Sequence, residues 1–180
     1  MRYALIAAAL AAISFVPPAT AADSKAGVDG LMSNVMQEHQ TSISGFGIRG
    51  RFKSQLLLDN VTIMPTIEWW RSSSHVDPYG IDATRIDNTL GCDVAYQFPL
   101  HDMVPYAGLG FAAHFMSSKV NAPALGVYNA EKTLTKGGLT ALIGVGFPLT
   151  SSVQNFLELK YHHITDYREL KLSWGIGFDF

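Results

Sequence analysis

Hydrophobic and polar residues alternate one by one along much of this chain, most strictly at its end. There Leu170, Leu172, Trp174, Ile176, Phe178 and Phe180 are interleaved with Lys171, Ser173, Gly175, Gly177 and Asp179. A period of two sends successive side chains to opposite faces of a β-strand, so this strand has one unbroken apolar face and one face of small or charged residues. The pattern recurs upstream. Val153, Leu157, Leu159, Tyr161 and His163 stand opposite Gln154, Glu158, Lys160 and His162. Leu139, Ala141, Ile143, Val145 and Phe147 stand opposite Gly138, Thr140, Leu142, Gly144 and Gly146. Ala107, Leu109, Phe111, Ala113 and Phe115 stand opposite Tyr106, Gly108, Gly110, Ala112 and His114. Residues 86–98, 61–72 and 42–52 repeat the arrangement, with Asp87, Thr89, Gly91 and Asp93, then Thr62, Thr66 and Glu68, then Arg49 and Arg51 on the polar face. Each run meets the ~9 to 11 residues that a tilted strand needs to cross a bilayer.

Seven strands are evident, and a barrel with both ends on one side of a membrane needs an even number. The missing first strand is assigned to residues 27–38. A short surface helix competes there, because Val28, Leu31, Met32, Val35 and Met36 also fall at i, i+3, i+4, i+7 and i+8. The links at 99–103 and 148–152 are tight, whereas 74–85 and 117–132 are longer and polar and are expected to be external loops. The fold class is therefore all-β, an up-and-down antiparallel transmembrane β-barrel of eight strands.

At the other end, Arg2, the apolar run from Leu5 to Val16 and the small-x-small site Ala19-Thr20-Ala21 predict a cleaved secretory signal peptide at 1–21, with the barrel domain at 22–180. Pro17 and Pro18 break that run well short of a membrane helix. Cys92 is the single cysteine, so the fold holds without an internal disulfide. Losing Arg2 with the leader takes Lys plus Arg from 13 to 12 against 15 Asp and Glu, which gives no electrostatic footprint for nucleic acid.

The terminal strand, the Pro-Tyr-Ala-Gly-Leu-Gly-Phe run at 105–111 and the Gly-Gly-Leu-x-x-x-Ile-Gly-Val-Gly-Phe run at 137–147 carry a resemblance. On them, residues 25–180 resemble the small eight-stranded bacterial outer-membrane β-barrels, the group of the outer membrane protein A barrel and outer membrane protein X. The resemblance implies a Gram-negative cell outer membrane location and a porin-like transmembrane β-strand architecture without cofactors. It also implies a monomer in contact with outer-membrane lipid and lipopolysaccharide. The barrel assembly machinery would read Trp174, Ile176, Phe178 and Phe180. Function is left open, since one scaffold serves many roles.

Strand parity points Arg49, Arg51, Lys160 and Lys171 inward together with Glu68, Asp87, Asp93, Glu158 and Asp179. Eight strands leave an interior that side chains fill, so these residues are expected to form a lumen charge network with little diffusion-channel activity. Glycines 91, 108, 110, 138, 144, 146, 175 and 177 share that face and make room for the long chains. Trp69, Trp70, Tyr161 and Tyr167 are expected as interfacial anchors. Gly45-x-Gly47-x-x-Gly50 lacks the helix a dinucleotide fingerprint requires. His162, His163 and Asp166 suggest a metal site only until parity separates the histidines, so no metal is expected.

Lys160-x-x-His163-x-Thr165-Asp166 resembles a degenerate form of the catalytic segment of the outer-membrane lipid A deacylases. That resemblance would make Thr165 a nucleophile, His163 its base and Glu169 the orienter. Thr165 stands where the family has serine, Asp166 where it has asparagine, and Glu169 lies nearer in sequence than the family's glutamate. The expected function is thus structural or surface-interacting through the external loops, with no catalytic residues. A lipid A deacylase-like hydrolase is the alternative.

Overall fold

The computed structural model of the chain describes residues 26–37, 43–53, 60–76, 80–98, 100, 103–165 and 167–180. The expected leader at 1–21 lies outside them. Eight strands follow one another: β1 (Ala26–Gln37), β2 (Ile43–Lys53), β3 (Val61–Val76), β4 (Ile81–Gln97), β5 (Val104–Ala122), β6 (Val127–Pro148), β7 (Val153–Ile164) and β8 (Tyr167–Asp179). Each pairs antiparallel with the next, and β1 pairs with β8 from Gly27↔Asp179 to Gln37↔Glu169, which closes the barrel. Closure leaves no unpaired edge, the condition for strands to cross hydrocarbon.

Strand β1 settles the competition over residues 27–37, and Glu38 lies outside the described residues. Gly27, Asp29, Leu31, Ser33, Val35 and Gln37 are buried inside, while Val28, Met32 and Met36 are exposed outside. A surface helix would bond its own backbone but leave the facing edges of β2 and β8 open. Pairing with both strands removes two edges at once. The apolar positions that mimic helical spacing are simply divided between the two faces.

On the outer face, Leu109 (69% exposed), Leu139, Ile48, Met32, Ile143 and Phe111 form part of a continuous apolar band. In water so large an apolar surface would drive association, and in a bilayer it meets hydrocarbon.

The expected loops at 74–85 and 117–132 are largely strand instead. β3 and β4 stay paired out to Val76↔Ile81, and β5 and β6 out to Ala122↔Val127. The β5–β6 connection is a single 3-10 turn, Pro123–Leu125, followed by Gly126 at φ 69. The alternation fades here because water bathes both faces once the strands leave the bilayer, so polar residues suit either side while the ladder continues. β5 and β6 reach 19 and 22 residues, against 12, 11, 12 and 13 for β1, β2, β7 and β8. The rim is therefore uneven. The highest β2–β3 pair is Gly45↔Trp70 and the highest β6–β7 pair is Gly138↔Ile164, and above them, among the described residues, β3 to β6 continue as a four-stranded sheet.

Candidate functional site

Among the described residues, the inner faces of the strands carry four buried cations, Arg49, Arg51, Lys160 and Lys171, and six buried carboxylates, Asp29, Glu68, Asp87, Asp93, Glu158 and Glu169. They are arranged in linked tiers. Nearest the chain ends, Arg51 donates to Asp29 at 2.6 Å and to Asp179 at 2.8 Å. One step up, Arg49 donates to Asp29 at 2.8 Å and to Glu158 at 2.5 Å, with its guanidinium 4.3 Å from the Phe156 ring centre. The Tyr106 hydroxyl donates to the same Glu158 at 3.0 Å.

At mid-height, Lys160 Nζ lies 2.8 Å from Asp93, 3.6 Å from Glu158 and 3.8 Å from Glu68. Thr140 donates to Asp93 and Lys171 to Glu68, both in very short bonds. Lys171 also lies 3.0 Å from Glu169, which accepts from Gln37 at 2.7 Å. Beside this tier His114 Nδ1 is 2.9 Å from Asp87 and 3.1 Å from Thr89 Oγ1, and its Nε2 is 3.2 Å from His162 Nδ1. Multiple partners per charge offset the desolvation that burial imposes. Small residues on this face give the long chains their space: a Cβ on Gly144 would overlap the Tyr106 ring, and one on Gly177 would overlap Asp29 and Arg51. The cavity between Arg49, Arg51, Tyr106 and Phe156 measures only about 10 Å³.

Arg49, Arg51, Glu68, Asp87, Asp93, Glu158, Lys160, Lys171 and Asp179 are thus all on the inner face; all but Asp87 are linked through shared partners, and Asp87 belongs to a separate group with His114 and His162 beside them. Periodicity does not supply Asp29, which joins β1 to β2 through Arg49 and Arg51, or Glu169, which joins β8 to β1 through Gln37, nor a role for Tyr106, His114 and His162. Asp29 sits in the strand whose register the sequence leaves ambiguous. The other three share the predicted inward face, and that parity was the available signal.

Two expectations need correction. Trp70 is buried inside (1% exposed) and Tyr167 is half-buried beneath the mouth, so neither is an interfacial anchor. Adjacent strand residues point to opposite faces, and Trp69 already holds the outer one. The hydrolase constellation does not assemble either. His163 is exposed on the outer face opposite Arg168, and Thr165 is exposed in the turn, its carbonyl accepting from Lys136 at 2.9 Å. Glu169 is buried in the lumen, where it faces His162 across the ladder. The barrel wall separates the expected orienter from the expected base. Asp166 lies outside the described residues.

Above the packed tiers a cleft of about 660 Å³ opens between the inner faces of the projecting strands. Arg85 forms part of its floor, donating to Gln37 Oε1 at 3.2 Å and to Met116 Sδ at 3.3 Å. Its guanidinium lies 5.3 Å from the Tyr167 ring centre and 5.5 Å from that of Trp70. Lys132 and Lys136 line the wall.

Comparison with known proteins agrees with this architecture. The attachment invasion locus protein Ail of Yersinia pestis, solved in complex with the heparin analogue sucrose octasulfate, superposes with a TM-score of 0.63 at 13% identity, covering 88% of this chain and 99% of that one. A major outer membrane protein from Thermus thermophilus gives 0.62 at 13% identity, covering 88% and 100%. The N-terminal β-barrel domain of Pseudomonas aeruginosa OprF gives 0.57 at 13% identity, covering 88% and 100%. No curated protein matches the sequence. At these identities the solved structures speak to the fold. The family model of the outer membrane protein beta-barrel domain matches residues 5–180, and the chain belongs to that family of outer-membrane barrels.

Proposed function

We propose that this chain is a non-conducting outer-membrane barrel that uses its projecting sheet to contact molecules outside the cell. The observation that carries the reading is the uneven rim. β6 continues for eleven residues, Val127 to Gly137, above its last pair with β7, about 35 Å of strand at ~3.3 Å per residue. A barrel needing only to span the bilayer has no use for that length. The linked charge tiers and the small cavity among them support a closed lumen, since eight strands leave an interior just wide enough for side chains. A leader at residues 1–21 is removed on export in this reading. The assembly machinery then reads the strand ending in Phe180, and the monomer sits among outer-membrane lipid and lipopolysaccharide.

The test separates the two parts. Cells expressing the full chain are compared with cells whose β3–β4 and β5–β6 hairpins are trimmed to the height of β2 and β7, for attachment to immobilised extracellular matrix and glycans. Trimming is expected to abolish attachment while heat-stable barrel persists at the surface. Equal attachment by both, or none by either, refutes the surface role. Steady single-channel conductance by purified protein in planar bilayers refutes the closed lumen.

A further inference from the structure

We propose that the cleft at the mouth of the barrel is a binding site for an anionic saccharide, a sugar ring bearing phosphate or sulfate groups. The inference rests on the projecting sheet's being the recognition end of the molecule. It names the class of ligand that end takes.

Charge is the first argument. Arg85, Lys132 and Lys136 line the cleft, and no aspartate or glutamate does among the described residues. The acidic members of the projecting sheet, Asp82 and Glu131, are exposed and paired elsewhere, with His75 at 2.6 Å and Lys119 at 3.2 Å. Strand parity places both on the outer face, away from the cleft. A concave surface of one sign with low-dielectric walls concentrates the opposite charge.

Arg85 is held ready for such a charge. Its two hydrogen bonds go to neutral acceptors, Gln37 and Met116, and two aromatic rings flank its guanidinium. Those hydrogen bonds use two of the five donors of a guanidinium and bring no opposite full charge to it. A half-buried arginine stacked in place, with no carboxylate at ion-pair distance among the described residues, loses little freedom on meeting a phosphate or sulfate, whose geometry fits its fork.

The remaining surface suits a sugar. Met116, Leu134 and Tyr167 present apolar surface for the face of a ring, and Ser72 and Ser118, paired beside Arg85, and Ser74 supply hydroxyls. A volume of about 660 Å³ falls within the usual range for small-molecule sites. A purely ionic surface patch would lack both the enclosure and the apolar base.

Two sources carry this chemistry: a phosphorylated headgroup of the surrounding lipopolysaccharide and a soluble saccharide from outside. The test uses purified full-length barrel in uncharged detergent and calorimetric titration with myo-inositol hexakisphosphate, a soluble phosphorylated ring, and with inorganic phosphate. The hexakisphosphate is expected to bind one per barrel, at least about tenfold tighter than phosphate because several cations engage it together, and to weaken steeply with added salt. Arg85→Gln and Lys132→Gln are each expected to lower affinity by about fivefold or more. Lys119→Gln, on the outer face of the same hairpin, should leave it unchanged. Lys132 is exposed, so its variant remains informative even if Arg85→Gln disturbs the barrel, which unboiled gel mobility reports.

Displacement of the hexakisphosphate by lipopolysaccharide micelles assigns the site to the lipid-borne headgroup, and persistence of binding assigns it to a soluble saccharide. Absence of saturable binding, or equal loss in Lys119→Gln, overturns the proposal. Because the measurement uses no cells, its failure is distinct from failure of attachment.

Discussion

Replacing Lys160 by Met should destabilise the barrel far more than replacing Glu158 by Gln, although the two residues are buried neighbours in one network. Glu158 serves Arg49, Lys160 and Tyr106, yet Arg49 keeps Asp29 and Lys160 keeps Asp93 when it is neutralised. An amide of the same shape still accepts from Arg49 and Tyr106, so the cost is that of weakening two charge-assisted bonds rather than losing them, about 1 to 2 kcal/mol. Lys160 is different because carboxylates already outnumber cations in the lumen, six to four among the described buried residues. Its loss leaves Glu158 with Arg49 and Glu68 with Lys171, but among the described residues it leaves Asp93 with only the Thr140 hydroxyl. An uncompensated buried carboxylate costs on the order of 3 to 5 kcal/mol. Adding Asp93→Asn to Lys160→Met removes the stranded charge, and the double variant should recover about 2 kcal/mol of that loss. The assay is urea unfolding of folded barrel in lipid vesicles, followed by tryptophan fluorescence, with the midpoint read at constant slope. Leu157→Ala, on the lipid face, serves as a reference and should cost little, since lipid tails are as apolar as the side chain removed. Equal losses for Lys160→Met and Glu158→Gln, or a further loss on adding Asp93→Asn, would refute this assignment of partners.

Unboiled protein is expected to migrate differently from boiled protein on a detergent gel, because the β1–β8 ladder closes the spanning part of the barrel and leaves no edge there at which detergent can begin to unpair it; identical mobility would count against the closed barrel. Gly144→Val should cost about 2 to 3 kcal/mol by displacing the Tyr106 ring from Glu158, whereas Gly30→Ala, whose Cβ meets nothing within 4 Å, should be nearly neutral in the same unfolding assay. Purified barrel should release no fatty acid from lipid A, with or without His163→Ala. Release by the unmodified protein that the variant abolishes would reinstate His163 as a base and require an orienter other than the inward-facing Glu169.

The parts of the fold legible in the sequence are those where the two faces meet different solvents. Along β7, Glu158, Lys160 and His162 face a polar interior and Leu157, Leu159 and Tyr161 face hydrocarbon, so period two identifies strand, register and site residues together. β1 was obscure because Leu31 and Val35 place apolar groups inside, opposite apolar groups outside, and the neighbours β2 and β8 decide its conformation. The upper parts of β3 to β6 resemble loops in the sequence because both faces are wet there and no contrast survives. Trp70 and Tyr167 show the limit of residue type as a guide. Aromatic rings suit a membrane interface, but they also suit a guanidinium. Arg85 stands on β4 while the two rings stand on β3 and β8, so no pattern within a single strand reveals their meeting.

The seam between β1 and β8 gives the barrel a direction in time. Ser33 and Ser173, 140 residues apart, share a hydrogen bond of 2.8 Å; Gln37 meets Glu169 across 132 residues, and Arg51 of the adjoining β2 reaches Asp179 across 128. Even the backbone of Ala26 pairs with that of Phe180. Contacts so distant in sequence form late, since the chain between them must be ordered first. Until β8 arrives, β1 is a bare edge, and Gln37 waits for Glu169 and Arg51 for Asp179, bonds that only the far end of the chain completes. A chain missing its last strand therefore does not become a slightly weaker barrel. It remains an open sheet with stranded charges, and finishing the circle doubles as proof that every strand was made.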